Sequence, residues 1–203
     1  QALSLANMGH EVMKDYSNIV SGLAKTIQVT QQESPMLLSQ ICRILEAGTR
    51  EAIAPARLHI HLEGDILIEE YYDFFIVLNN LIINAAQAGA HPVDPGGPHL
   101  PHGETVLGEH AAQAQHQITA ELTAKNRSIG MRIADDAGGI PDDILPHIFQ
   151  PGFSTKFDEQ TGVPSPGLGL CHVRDIVNKW NAQISVESHV PEGTIFRVDI
   201  PSL

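Results

Sequence analysis

Cysteine is scarce in this sequence: Cys42 and Cys171 are the only two, far apart and in different predicted helices. Two thiols are too few for a disulfide scaffold, fit a reducing compartment and read as packing residues. Basic residues are scarce too, 12 Lys and Arg against 24 Asp and Glu for a net charge of −12. That balance argues against nucleic acid or an anionic membrane as the main partner. No apolar run reaches the roughly 20 residues of a membrane span; the longest, Phe74 to Ala90, is interrupted by three asparagines. No secretory leader is visible. The chain starts at Gln1 without methionine, so the expectation is a cytoplasmic protein or the cytosolic part of something longer, with any membrane region outside it.

What is present can fold. With 42% hydrophobic and 18% charged residues, the 203-residue chain can bury one large core or two small ones. The most informative stretch is Ile133 to His172. Alternating Ile129, Met131 and Ile133 predict a half-buried strand that delivers Asp135 to its end. Gly138 and Gly139 allow a tight turn. Pro141 followed by Asp142 and Asp143 predicts the first turn of a short helix. Phe149 to Pro166 is rich in proline, glycine and polar residues and longer than most loops of compact domains, a length typical of lids. Gly167-Leu168-Gly169-Leu170 then opens a helix with period-matched Leu170, Val173, Ile176, Val177 and Trp180. Two glycines at a helix start leave free amides facing an anion with no Cβ in the way.

Further patterns flank this stretch. Leu58, Ile60 and Leu62 predict a strand at 57–63, and a helix from Ile68 carries Tyr71, Phe75, Leu78, Ile82 and Ala85 on one face. Asn80 and Asn84, four apart, share another face, although asparagine is a poor helix former. Side-chain carbonyls there suit Mg²⁺ already bound to phosphates. Ile118-Ala120-Leu122 and Ile129-Met131-Ile133 predict an antiparallel pair, and Ile184 to Ile200 a hairpin turning at Pro191-Glu192-Gly193. Five strands with helices on one face make an α+β sandwich. Residues 89–116 look like an insertion; His91, His99, His102, His110 and His116 lack the paired spacing of a zinc site, so a polar loop is expected.

The order DDAGGIP, IFQPGFSTK, GLGL, with LNNLIINAAQA upstream and ISVESHVPEGTIFRVDIP downstream, resembles the Bergerat-type ATP-binding domain of sensor histidine kinases. The phrase PGFSTKF…TG…GLGLCHV is similar to the branch that includes citrate, dicarboxylate and glutamine sensor kinases. The resemblance implies that Asp135 accepts a hydrogen bond from the adenine amine, that Asn84 ligates Mg²⁺ and that Asn80 contacts the phosphates or metal-bound water. It also implies that Gly139, Phe149, Thr155, Lys156, Gly167, Leu168, Gly169 and Leu170 line the nucleotide. Ala137 stands where the family's first box glycine would be, and Ser165 where many kinases have a lid glycine. ATP-hydrolysing relatives carry a glutamate at the position of Asn80; an amide is a poor general base, which favours phosphate transfer over hydrolysis.

Residues 4–30 carry Leu5, Met8, Val12, Tyr16, Ile19, Leu23 and Ile27, a single apolar stripe on a long helix. Ser34 and Pro35 predict the N-cap and first residue of a second helix with Leu37 or Leu38, Ile41, and Ile44 or Leu45 on its stripe. A two-helix hairpin cannot cover both stripes, so a homodimeric four-helix bundle is expected. His10-Glu11 in NMGHEVMKDYSNIVSGL resembles the kinase phosphoacceptor box. A neutral imidazole can attack a γ-phosphate while Glu11 takes the proton from the ring's other side.

The expectation is therefore a dimerisation and phosphoacceptor hairpin at 1–56 followed by an ATP-binding domain at 57–203. It would bind ATP and Mg²⁺, phosphorylate His10 and pass the group to a response-regulator receiver domain. A sensor or membrane region would lie outside the sequence. Two alternatives stand beside it: a dimeric signalling adaptor that keeps the fold but not the catalysis, and a stand-alone ATPase.

Overall fold

The computed structural model describes residues 35–88, 116–154 and 167–201. In chain order the elements are β1 (Met36–Leu37), α1 (Leu38–Thr49), β2 (Arg57–Glu63), β3 (Leu67–Ile68), α2 (Tyr71–Ala88), β4 (Gln117–Lys125) and β5 (Ser128–Asp135). A 3₁₀ turn (Leu145–His147), α3 (Gly169–Lys179), β6 (Gln183–His189) and β7 (Gly193–Ile200) follow. Five strands form one mixed sheet in the order β2-β4-β5-β7-β6, with β2 and β4 parallel and the other pairs antiparallel.

Period-2 alternation decides which side chains reach the core. Ile118, Ala120 and Leu122 of β4, Ile129, Met131 and Ile133 of β5, and Phe196, Val198 and Ile200 of β7 are all buried beneath the helices. The other face is polar and carries cross-strand ion pairs, Arg132–Glu121 at 3.1 Å and Arg197–Glu187 at 2.6 Å. The β4–β5 hairpin closes through Asn126 and Arg127, both at positive φ, as the right-handed strand twist requires of a two-residue turn.

Helix α2 is buried more broadly than a single stripe: Phe74, Ile76, Val77, Leu78, Leu81, Ile82 and Ala85 are all inside. It starts at Tyr71, because Leu67–Ile68 pairs with Met36–Leu37 as a small second sheet. The segment opening at Pro141 makes a turn, with Ile144 N–H donating to the Pro141 carbonyl at 2.9 Å, and continues as 3₁₀ instead of α-helix.

The second helix expected of the dimerisation hairpin is present as α1, but it is part of the sandwich. Its Leu38, Ile41, Cys42 and Leu45 belong to the same apolar cluster as Phe74, Leu78 and the sheet. It also starts later than Pro35, since Met36 and Leu37 are drawn into β1. Asp65, from the turn after β2, caps it by accepting the Ser39 N–H at 3.0 Å and hydroxyl at 2.6 Å. The compact unit thus begins at Pro35, on the near side of the expected 56/57 boundary. The stripe that asked for a second copy is covered by this chain's own α2, leaving only the stripe of residues 4–30, which lie outside the described residues.

Candidate functional site

Three pieces of the sequence reading converge at one end of the sheet. Asp135 is the last residue of β5, on the inner face and 9% exposed. Its Oδ1 accepts the Ala137 N–H at 3.1 Å, so the residue at the first box position organises the carboxylate through its backbone. Burial pushes the Asp135 pKa up to about 6, against the opposing hydrogen bonds from the Ala137 and Thr194 amides and the nearby His116. A half-desolvated carboxylate at a strand end is poised to take a hydrogen bond from a ligand amine.

Gly139 sits at φ +75°, and a Cβ there would come within 2.5 Å of the His189 carbonyl oxygen. The turn is therefore pressed against the β6–β7 hairpin, where the Ile140 N–H donates to Ser188 Oγ at 2.7 Å. Ser188 Oγ also contacts the Gly193 carbonyl at 3.1 Å and Thr194 Oγ1 at 2.9 Å. A hydroxyl has one hydrogen, so when Ser188 donates to Gly193, Thr194 must donate to Ser188. Thr194 pairs directly with Asp135 across β5 and β7. Ser188 and Thr194, both buried, are the site residues that the sequence reading missed. Their signal was a polar residue in the inward phase of an otherwise apolar run: Ile184, Val186, Ser188 and Thr194, Phe196, Val198.

Asn80 and Asn84 stand one turn apart on α2, both half-buried. Asn80 Nδ2 donates to the Ile76 carbonyl at 2.9 Å, which leaves its Oδ1 turned toward α3. The position a Cβ of Gly169 would take lies 2.8 Å from that Oδ1. At the other end of the helix pair, Lys179 bridges Asp73 at 2.8 Å and Glu70 at 2.7 Å, and those carboxylates hold its pKa above the ordinary lysine value. Trp180 packs on Phe74 with ring centroids 5.7 Å apart. So α3 runs antiparallel to α2, and its N-terminus abuts Asn80. No side chain caps this end of α3, and the first amide to find a helical carbonyl is that of His172, on Leu168 at 2.9 Å. The amides of the first turn and the positive dipole end are therefore available to an anion.

The ends of the expected lid are pinned. Gly152 N–H donates to the Gly167 carbonyl at 3.3 Å, and Gly167, at φ +63°, leaves no room for a Cβ against the Phe153 carbonyl. Phe149 packs edge-on to Phe196 at 6.4 Å, anchoring the entry to the loop in the core. Leu168 is 43% exposed and Leu170 is half-buried. Thr155, Lys156 and Ser165 of the loop, and His10 and Glu11, lie outside the described residues.

Among the described residues no group of three or more His, Cys, Asp and Glu is placed to hold a metal ion. His116, the one member of the histidine-rich stretch that is described, bonds instead to the Ala85 carbonyl at 3.1 Å. The neutral amide of Asn84, one turn on from Asn80, fits a Mg²⁺ that arrives already bound to phosphates. An open cleft of about 870 Å³ lies at the opposite end of the sheet, lined by Glu63, Lys125, Gly130, Asn181 and Asp199 among others. Two carboxylates against one lysine make it a poor polyphosphate site.

Gly169→Ala should separate site from fold. Alanine is tolerated in the first turn of a helix, so thermal unfolding should stay within a few degrees of wild type, while the methyl displaces Asn80. Mg-ATP affinity measured by calorimetry should fall about tenfold or more, as expected when a polar partner is pushed out of place.

Comparison with known proteins matches this geometry. The family described as histidine kinase-, DNA gyrase B- and HSP90-like ATPase matches residues 71–203. "Sensor histidine kinase GlnK" of Bacillus subtilis is 28% identical over 98% of this chain and 44% of its own length. A "Probable C4-dicarboxylate sensor kinase" of the same organism is 25% identical over 99% of this chain and 32% of its own. The chain thus spans less than half the length of these relatives. Among solved structures, full-length ShkA in complex with AMPPNP shares the fold at a TM-score of 0.58 and 16% identity, covering 98% of this chain and 37% of that one. No described helix is long and apolar enough to cross a membrane. With the asparagine helix, the Asp135 turn and the glycine-opened helix assembled as described, the chain belongs to the histidine kinase-, DNA gyrase B- and HSP90-like ATPase family.

Proposed function

We propose that this chain is the core of a sensor histidine kinase that binds Mg-ATP and phosphorylates His10. The observation that carries the reading is the abutment of the uncapped α3 N-terminus on Asn80, with Asp135 and its hydroxyl network at the end of β5. In this reading the adenine amine donates to Asp135, the first-turn amides of α3 receive the phosphates, Asn84 ligates Mg²⁺, and Asn80 contacts the phosphates or metal-bound water. The metal supplies neutralisation of phosphate charge, which an acidic protein with net charge −12 needs locally. Gly139, Phe149, Gly167, Leu168 and Leu170 shape the walls, and Thr155 and Lys156, outside the described residues, are assigned to the phosphates by the family resemblance alone.

The His10 nitrogen attacks the γ-phosphorus, the bond to the β–γ bridging oxygen breaks, ADP departs, and Glu11 takes the imidazole proton. The phosphoryl group then passes to an aspartate of a response-regulator receiver domain. The names of the sensor kinase relatives support this. The position four residues before Asn84 carries an amide already bonded to Ile76, which supports transfer over hydrolysis. The remaining stripe of residues 4–30 is the surface through which two copies would pair. The working place is the cytoplasm, as the cytosolic portion of a longer sensor.

Incubation with γ-labelled ATP and Mg²⁺ should give label that is stable in alkali and lost in acid, and His10→Ala should remove it. Acid-labile label that persists in His10→Ala would refute the acceptor assignment; absence of both label and ATP binding would favour the adaptor.

A further inference from the structure

His116 is the one buried histidine among the described residues, and nothing in the nucleotide chemistry above uses it. Its backbone carbonyl accepts the Arg57 N–H at 3.0 Å, fixing it at the head of the β2–β4 pair. Its Nε2 lies 3.1 Å from the carbonyl oxygen of Ala85. A carbonyl can only accept, so Nε2 carries the hydrogen and donates. Ala85 follows Asn84 directly. Its carbonyl belongs to the last described turn of α2. The histidine therefore seals the helix turn next to the metal-side asparagine.

The other side of His116 meets the adenine end. β4 and β5 pair Ile118 with Asp135. The Gln117 N–H on Asp136 Oδ1 at 2.6 Å and the Asp136 N–H on the Gln117 carbonyl at 3.3 Å carry that ladder one residue further. Ala137, next after Asp136, holds the Asp135 carboxylate with its amide. His116 shares the inward phase of Ile118, Ala120 and Leu122, and it is near enough to act electrostatically on Asp135.

We propose that His116 is a positioning residue for the nucleotide: by bonding Ala85 it ties the turn of α2 that carries Asn84 to the strand end that carries Asp135. It thereby sets the span between the phosphate end and the adenine end of the site. This rests on the Mg-ATP reading. A ligand gripped at both ends gains from a preset span, because binding then spends less on ordering the site. A ligand gripped at the adenine end alone gains little.

Equilibrium binding of Mg-ATP and of adenosine to the full chain separates the two. His116→Ala should weaken Mg-ATP about tenfold, the scale of a lost buried hydrogen bond, and adenosine less than about threefold. His116→Gln, whose amide nitrogen reaches the place of Nε2, should bind Mg-ATP within about threefold of wild type, whereas the shorter His116→Asn should not. If His116→Ala does not fold, the contrast between glutamine and asparagine carries the test. Wild-type Mg-ATP affinity in His116→Ala, or equal loss for both ligands, overturns the inference while leaving the ATP site standing. No Mg-ATP binding by wild type overturns the nucleotide reading and this inference with it.

Discussion

Replacing Asp135 by asparagine should weaken Mg-ATP binding by about ten- to a hundredfold, the range expected for losing a hydrogen bond to a charged acceptor, and should change how stability responds to pH. In the nucleotide-free protein, burial raises the Asp135 pKa from 3.8 to about 6. A carboxyl whose folded pKa lies above its unfolded value favours the fold while protonated. Its contribution is therefore complete below pH 4 and is lost as pH rises through about 6. The whole span corresponds to at most roughly 3 kcal/mol. Asparagine does not titrate, so the stability of Asp135→Asn minus that of wild type should rise between pH 4 and pH 6.5 whatever constant cost the substitution carries. Urea unfolding at several pH values gives the slope. A flat difference would mean that Asp135 is not buried as described. Affinity should respond in the opposite sense: the ionised form accepts the adenine amine, so wild-type Mg-ATP binding should weaken below about pH 6, as the carboxylate gains its proton, while the variant stays level.

Gly139→Ala should be strongly destabilising. Alanine is strained at φ +75°, and its Cβ would sit 2.5 Å from the His189 carbonyl oxygen and 3.1 Å from the Val190 nitrogen, both backbone. Strain and overpacking together amount to roughly 2–6 kcal/mol, a large share of the stability of an ordinary domain. The melting temperature should drop by roughly 5–20 °C, read by circular dichroism. Gly152 is the control: it has φ +78° with nothing within 4 Å of a Cβ, so Gly152→Ala should cost only about 1–2 kcal/mol. Equal losses at the two positions would remove the contact with the β6–β7 hairpin from the account. Since that contact places the Asp135 turn, Gly139 serves the site through the fold, whereas Gly169 serves it directly.

Much of this architecture was legible because alternation and helical period report burial. The strand 57–63, the β4–β5 pair, the end of β5 at Asp135 and the glycine-opened helix stand where the pattern puts them. An apolar stripe tells that a face is covered without telling by what. Leu38, Ile41 and Leu45 therefore suited a bundle with a second copy equally well, until α2 was seen to cover them. The two-residue strands β1 and β3 are too short to leave a periodic signature. Ser188 and Thr194 were passed over as ordinary polar residues, although each falls in the inward phase of its strand, where a polar group has to have a partner; His116 was read as part of a polar insertion loop, although it is buried just before β4, in phase with Ile118.

The most direct test of the central claim is calorimetric titration of this chain with Mg-ATP and, separately, Mg-GTP. The account predicts one saturable site for Mg-ATP and much weaker binding of Mg-GTP, because guanine presents a carbonyl where Asp135 needs a donor. Equal affinities would contradict the role of Asp135, and no binding of either would contradict the site itself.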